Sequence, residues 1–304
     1  MKKIWAVCLA TMALAACQTK PTTGQFNPER KMEVVTPTIE PIQVTAETVV
    51  IDARSRFDYS VAHVPKSINL QWSDFTEPEE NQRGLLQKDL FAAARRLARV
   101  GIGPATPVVV LGAGPDGGGE EGRIAWMLAY LGVKKVDFVS LGSFRANMTN
   151  TVEEEKPKAA PMWKPEPVES LNVAREEVLF AINKRGTHQP VSYKDGPETL
   201  YKIIDVRGEK DYLGKEGFGA RKTVPNIDAV NIPWKEFFDK GLRPNPEMAR
   251  KLASVGFDPS QRIIVMDNNG VASAAVTLAL RQLGFPGAGN YAGGLQDLMS
   301  SYRR

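Results

Sequence analysis

Two kinds of hydrophobic pattern alternate along this chain. Val49 to Ile51 and Val108 to Leu111 are apolar at every position, and Val136 to Val139 is broken only by Asp137. Such runs predict strands covered on both faces of a parallel sheet, because a strand with one wet face alternates apolar with polar residues. Between them the apolar positions recur every three or four residues. Leu86, Leu90, Ala93, Ala94 and Leu97 share one face of a helix predicted over Leu86 to Val100, and Gly101 follows as a stop. Further on, Asn245 and Pro246 read as the N-cap and first residue of a helix that ends at Gly256. Strand and helix in alternation predict the α/β class, a parallel sheet between two layers of helices.

The pattern occurs twice. RLARVGIGPATPVVVL (96 to 111) aligns without gaps on KLASVGFDPSQRIIVM (251 to 266), and VVIDAR (49 to 54) and YLGV (130 to 133) match KIIDVR (202 to 207) and QLGF (282 to 285). A repeat this long marks a duplication. Residues 151 to 170 carry Pro157, Pro161, Pro165 and Pro167 among charges, which is linker composition with no helix. The expected organisation is a leader over 1–16, a polar lead-in over 17–44, a first domain over 45–150, a linker over 151–172 and a second domain over 173–304. Length and the duplication favour two packed cores.

Lys2 and Lys3 precede an apolar run from Ile4 to Ala13, and the run ends in Leu14, Ala15, Ala16 and Cys17. This predicts a secretory signal rather than a spanning helix. It resembles a bacterial lipoprotein signal, which implies that Cys17 is lipidated and becomes the first mature residue while Cys8 leaves with the signal. Gln18, where an aspartate favours inner-membrane retention, implies an outer-membrane anchor facing the periplasm. Those two cysteines are the whole complement of the chain, so no disulfide is expected even in an oxidising compartment. Removing Lys2 and Lys3 from 39 basic residues leaves 37 against 35 acidic ones, a net charge of +2 that gives no case for nucleic-acid binding. No later segment is long and apolar enough to span a bilayer.

In the first half IDARSRFDYSVAHVPKSINLQW (51 to 72) places an Asp-x-Arg after the first strand and His63, Pro65 and Ser67 in a later turn. The second half keeps Asp205 and Arg207 in IDVRGEKDYLGKE (203 to 215) and closes VPNIDAVNIPW (224 to 234) in the same way without the histidine. With IIVMDNNGVASAAVTLALRQLGF followed by NYAGG over 263–294, these motifs resemble the tandem rhodaneses of the thiosulfate and mercaptopyruvate sulfurtransferase type. The resemblance covers nearly everything after residue 45. It implies two α/β/α domains, Asp52 with Arg54 and Asp205 with Arg207 as charge pairs that pin strand ends, and His63 as a buried turn residue. His188, near the linker, is expected at the surface.

The same resemblance implies where chemistry would sit. In the family a strand ends at a cysteine whose sulfur lies at the focus of loop N–H groups and a helix N-terminus, with the spacing Cys-x-x-Gly-x-Arg-Ser. Here the strand is followed by Asp267, Asn268, Asn269, Gly270, Val271, Ala272 and Ser273, so the glycine and serine stay and the thiol and arginine are lost. An Asp267 carboxylate in that ring would fill the anion site with its own oxygens and cap the helix. The first half has Gly112 at the nucleophile position and the longer loop GAGPDGGGEEG (112 to 122), whose Gly112, Gly114 and Gly117 fit a dinucleotide fingerprint with Asp137 downstream. Asp116, Glu120 and Glu121 put negative charge where a pyrophosphate would lie, so an expanded non-catalytic loop is expected instead. The resulting expectation is an inactive, lipid-anchored binding or scaffolding module of the cell envelope. The alternatives are a sulfurtransferase-related enzyme or a hydrolase using Asp267 and Ser273. No cofactor or metal site is implied. An envelope protein or small ligand at the interdomain cleft is the expected partner, the lipid is the only membrane contact, and no nucleic acid is expected.

Overall fold

The apolar runs become strands of parallel sheets, Val49–Asp52 and Val108–Gly112 at the centre of the first sheet and Val136–Ser140 at its edge. A computed structural model of the chain describes residues 38–144, 148–151, 158–184, 189–214 and 227–300. Among these residues eight strands form two four-stranded sheets with all pairs parallel. The first holds β1 (Val49–Asp52), β2 (Ile68–Asn69), β3 (Val108–Gly112) and β4 (Val136–Ser140) in the order β2-β1-β3-β4. The second holds β5 (Tyr201–Asp205), β6 (Val230–Asn231), β7 (Arg262–Met266) and β8 (Ala288–Asn290) in the matching order β6-β5-β7-β8. Val108 and Val110 face one side of β3 while Val109 and Leu111 face the other, and all four are buried. A strand with two dry faces has no polar alternation, as the sequence indicated.

Eight α-helices accompany these strands among the described residues: α1 (Arg56–Val61), α2 (Leu90–Arg99), α3 (Glu120–Leu131), α4 (Arg175–Asn183), α5 (Glu209–Tyr212), α6 (Glu247–Ser254), α7 (Ala272–Gln282) and α8 (Gly294–Ser300). The first periodic stretch starts four residues later than its apolar pattern. The Asp89 carboxylate accepts from the Ala92 amide at 2.9 Å and caps α2, while Leu86 lies before the cap in an antiparallel bridge with Thr76. Asn245 caps α6 through the Glu247 amide at 3.1 Å. Gly101 and Gly256 end the two cognate helices in the left-handed region, at φ of 85° and 84°.

The expected two cores are replaced by one large core that crosses between the halves. It takes Ile51, Leu97, Val110 and Trp126 from the first half and Ile204, Leu252, Val265 and Leu280 from the second. The reason lies in α3 and α7. Each is buried nearly all round, so each needs a sheet on one side and another apolar surface on the other, and they supply that surface to one another. Smaller clusters cover the outer sheet faces. Val178, Ala181, Leu295 and Leu298 from α4 and α8 lie over Ile203 and Ile264, and Val64 joins Val109, Leu111 and Val139 on the first sheet. Within the stretch read as lead-in, Ile39 packs against the large core and Ile42 against the cluster on the first sheet.

The described part of the linker is an ordered strap. Its amides at Ala160, Glu166 and Val168 donate to Ala98, Leu131 and Tyr130 carbonyls, and the Trp163 indole donates to Ile102 O at 3.1 Å. Arg262 and Arg281 of the second half both donate to Ser170 O, at 2.7 and 2.9 Å. The linker therefore ties both halves, as prolines that cannot form a helix still leave carbonyls and neighbouring amides for such bonds.

The α3–α7 crossing yields a stability test. A Cβ at Gly122 would lie 2.2 Å from the Ala275 Cβ and 2.6 Å from its Cα, so a methyl group there forces the helices apart. Gly122→Ala is expected to lower the unfolding free energy by about 1–3 kcal/mol in urea titrations. Gly142→Ala, where an added Cβ meets nothing within 4 Å, is the control and should stay within about 0.5 kcal/mol of the parent.

Candidate functional site: two loops filled by carboxylates

Both loops lie at the carboxyl ends of their sheets, the edge at which open α/β sheets bind ligands. In the second, β7 ends at Met266 and the chain turns through Asp267 to Val271 before α7 begins. Asp267 Oδ1 accepts from the Asn269 amide at 2.9 Å and from the Gly270 amide, and Oδ2 accepts from the Ser273 amide at 3.1 Å. These are the N–H groups that a turn into a helix leaves without intrahelical partners. The carboxylate is 5 % exposed. Ser273 is fully buried and its hydroxyl donates to Asn290 Oδ1 at 2.6 Å, while Asn290 Nδ2 donates to Gly270 O at 3.1 Å. Gly270 has φ of 76° and sits against the backbone of Ala292. Ala272 opens the helix where the family pattern has arginine. The loop carbonyls of Asp267 and Asn268 are in turn bonded by the Leu295 and Gln296 amides of α8.

In the first half the same focus is filled from the other side. Gly112 ends β3 with no side chain, and a Cβ built there would lie 2.4 Å from the Glu121 carboxyl carbon. Glu121 comes from the first turn of α3, and its Oε1 accepts from the Gly114 amide at 2.8 Å. Glu120 takes the Gly118 amide at 2.9 Å. The loop amides of Gly114 and Gly118 thus serve the loop's own acids, and Asp137 is ion-paired with Arg243 at 3.7 Å. A nucleotide pyrophosphate would have to displace Glu121. Burial raises the Glu121 carboxyl from 4.5 to about 7, against the Gly114 amide, which lowers it. Its Oε2 is buried without a hydrogen-bond partner.

The two Asp-x-Arg motifs are built alike. Asp52 Oδ1 accepts from the Arg54 amide and Nε, both at 3.0 Å, and Oδ2 from the guanidinium at 2.7 Å. Asp205 and Arg207 repeat those three distances. Asn69 and Asn231 close the turns by donating to the carbonyls of Asp52 and Arg54, and of Asp205 and Arg207. Burial raises the Asp205 carboxyl and the Arg207 charge opposes it. His63 is 2 % exposed, stacks on Tyr59 at 4.0 Å and contacts Tyr59 O through Nδ1 at 2.7 Å. Lys66, at the family's glycine position, is in the left-handed region that favours glycine, with φ of 64°, and its counterpart Asp228 is there at 51°. Cys17 and His188 lie outside the described residues.

Asp267, Gly270, Ala272 and Ser273 are therefore brought together, whereas Gly112, His63 and the Asp52–Arg54 pair belong to the first half. Reading the sequence gave three members of the neighbourhood no place in it. Asn290 appeared only as the first residue of NYAGG. Glu121 was visible only as one acid in an acidic loop. Arg123, from α3, reaches the second loop and donates to Gly270 O at 3.2 Å. Burial lowers its guanidinium to about 10, and the Asp267 charge raises it in opposition.

The Glu121 site sets a pH test. An acid whose folded value lies above its unfolded one binds more protons when folded, so its contribution is intact below pH 4.5 and is lost as pH rises through 7. Glu121→Gln removes that titration. Urea titrations from pH 4.5 to 8 should show the parent losing about 3 kcal/mol relative to Glu121→Gln across the window. Parallel curves for the two proteins would contradict the buried-acid assignment.

Comparison with known proteins places these loops in a family. The profile of the Rhodanese-like domain matches residues 40–146 and again 191–301. A thiosulfate sulfurtransferase of Azotobacter vinelandii is 24% identical over 274 residues, which is 84% of this chain and 91% of that protein. Among solved structures, SseA of Escherichia coli, a 3-mercaptopyruvate sulfotransferase, superposes with a TM-score of 0.60 at 21% identity, covering 82% of this chain and 93% of SseA. The 3-mercaptopyruvate sulfurtransferase of Leishmania major gives 0.63 at 16% identity, with 85% and 72% covered. EanB gives 0.65 at 15% identity over 85% of this chain, which spans only 63% of the EanB chain. With both halves matched and both sheets ordered alike, the chain belongs to the rhodanese-like family, as a tandem of its domains related to the thiosulfate and 3-mercaptopyruvate sulfurtransferases.

Proposed function

We propose that this chain is a sulfurtransferase relative that no longer transfers sulfur and serves as a binding or scaffolding module in the cell envelope. One observation carries the reading: the focus of each loop holds a carboxylate of the chain itself, Asp267 on three amides in one half and Glu121 beside Gly112 in the other. Sulfur transfer requires a nucleophile at that point which can accept a sulfur atom and then be held as its anion. A carboxylate that already uses the amides does neither, and Cys8 and Cys17 are the only thiols of the sequence. The hydrolase alternative is disfavoured by Ser273, which is fully buried and gives its proton to Asn290. Asn268 and Asn269, both partly exposed, make the mouth of the second loop the candidate ligand or partner site.

The test is an assay of sulfur transfer from thiosulfate and from mercaptopyruvate to cyanide, run beside an active rhodanese. The expected rate is that of the enzyme-free control. Turnover above it in protein carrying Cys17→Ser would overturn the inactive reading.

Attachment to the outer membrane through Cys17 is part of the same proposal and rests on the Leu14 to Cys17 tetrad. Cell fractionation with mass measurement of the mature N-terminus should find a lipid-bearing Cys17 in the membrane fraction. Replacement of Cys17 by serine should shift the protein to the soluble fraction or leave the signal uncleaved. An unmodified soluble chain starting at another residue would refute the anchor.

A further inference from the structure

The second loop is covered from outside by the first half of the chain. Between Phe75 and Gln87 the backbone folds back on itself, with the Gln87 amide on Phe75 O and the Glu77 amide on Leu85 O, both at 3.0 Å. The tip, Glu77 to Leu85, contains a short 3-10 helix (Glu80–Gln82) and forms a compact loop with joined ends. At Gly84 this loop meets the turn that follows β7: a Cβ there would lie 2.1 Å from Ala292 O and 2.3 Å from Asn269 O. No side chain fits between the two backbones.

Arg123 holds that contact. One guanidinium nitrogen donates to Gly84 O and the other to Gly270 O, so a single side chain bridges the covering loop and the covered one. The group is 1 % exposed and lies 4.6 Å over the Trp126 ring. Burying a guanidinium is costly, and an apolar residue of similar length often serves packing as well or better. The use of its donors on these two carbonyls points to holding the loops together. Gly270 O has a second donor in Asn290, whereas Gly84 O takes its side-chain hydrogen bond from Arg123.

We propose that Glu77 to Leu85 is a strap over the second loop, latched by Arg123, and that it opens without disruption of either sheet. Opening would uncover Asn269, Gly270 and Ala292 together, while the joined ends at Phe75 and Gln87 keep the strap tethered. The inference concerns the loop taken above as the candidate partner site but does not rest on its inactivity. The sulfur assay reads the chemistry of Asp267, and the measurement below reads the strap.

Hydrogen–deuterium exchange by mass spectrometry on the full chain decides it, in Arg123→Met, which removes the latch, and Gly84→Ala, which wedges the contact. In both variants, peptides covering the strap and residues 267–273 are expected to exchange at least ten-fold faster than in the parent, while peptides covering β1, β3 and β5 keep the parent rate. The proposal falls if either variant leaves strap and loop exchange unchanged. It also falls if the β1 and β3 peptides accelerate equally, because Arg123 and Gly84 would then support the fold as a whole.

Discussion

A strand that turns straight into a helix leaves several backbone N–H groups pointing at one place, and something negative has to occupy it. Much of what is unusual in this protein follows from that requirement. In the second half the group is Asp267, on the residue that follows the strand, and the helix then begins with Ala272 and the buried Ser273. In the first half it is Glu121, on the helix itself, and the strand must then end at Gly112 because any Cβ would strike the carboxylate. The two solutions exclude one another at a given loop. A side chain at position 112 and a carboxylate at position 121 compete for one volume.

The two loops differ in cost. Asp267 receives three N–H bonds, enough to replace much of the water that a carboxylate loses on burial. Glu121 receives one from Gly114 and leaves Oε2 without a partner, close to the charges of Glu120 and Asp52, which is why burial dominates and lifts it to about 7. The first loop is therefore the weaker electrostatic arrangement, although its longer glycine-rich backbone gave it more ways to satisfy its amides.

Much of the fold was legible because burial on two faces and burial on one leave different marks in a sequence. The continuous runs of β1 and β3, and the glycines at 101 and 256 that end helices, appear in the structure where the pattern put them. The repeat of 96–111 in 251–266 pointed to two like sheets, and their strand orders agree. Leu86 misled the start of α2 because an apolar residue at the right spacing can reach the core from an extended bridge, and only Asp89, an N-cap, distinguishes the cases. The expectation of two separate cores failed for a related reason. The repeat marks two like units, but it does not say that α3 of one and α7 of the other supply each other's cover. Of the site, the residues contiguous in sequence were readable. Arg123 and Gly84 were not, since their role depends on contacts made 147 and nearly 200 positions away in the chain.

The shape of the second loop rests on contacts of the same long-range kind. Gly270 is held by its φ and by the Ala292 backbone, Asn290 ties Ser273 to Gly270, and α8 amides take the carbonyls of Asp267 and Asn268. None of those bonds involves the atom that would react. Much of the frame is thus held by bonds other than the three amides that Asp267 itself takes. What changes is the charge balance. Position 272 holds no arginine, and Arg123, which the other domain provides, feels the Asp267 charge while it bonds Gly84. One side chain thus faces the charge of the second loop and joins that loop to the backbone of the first half.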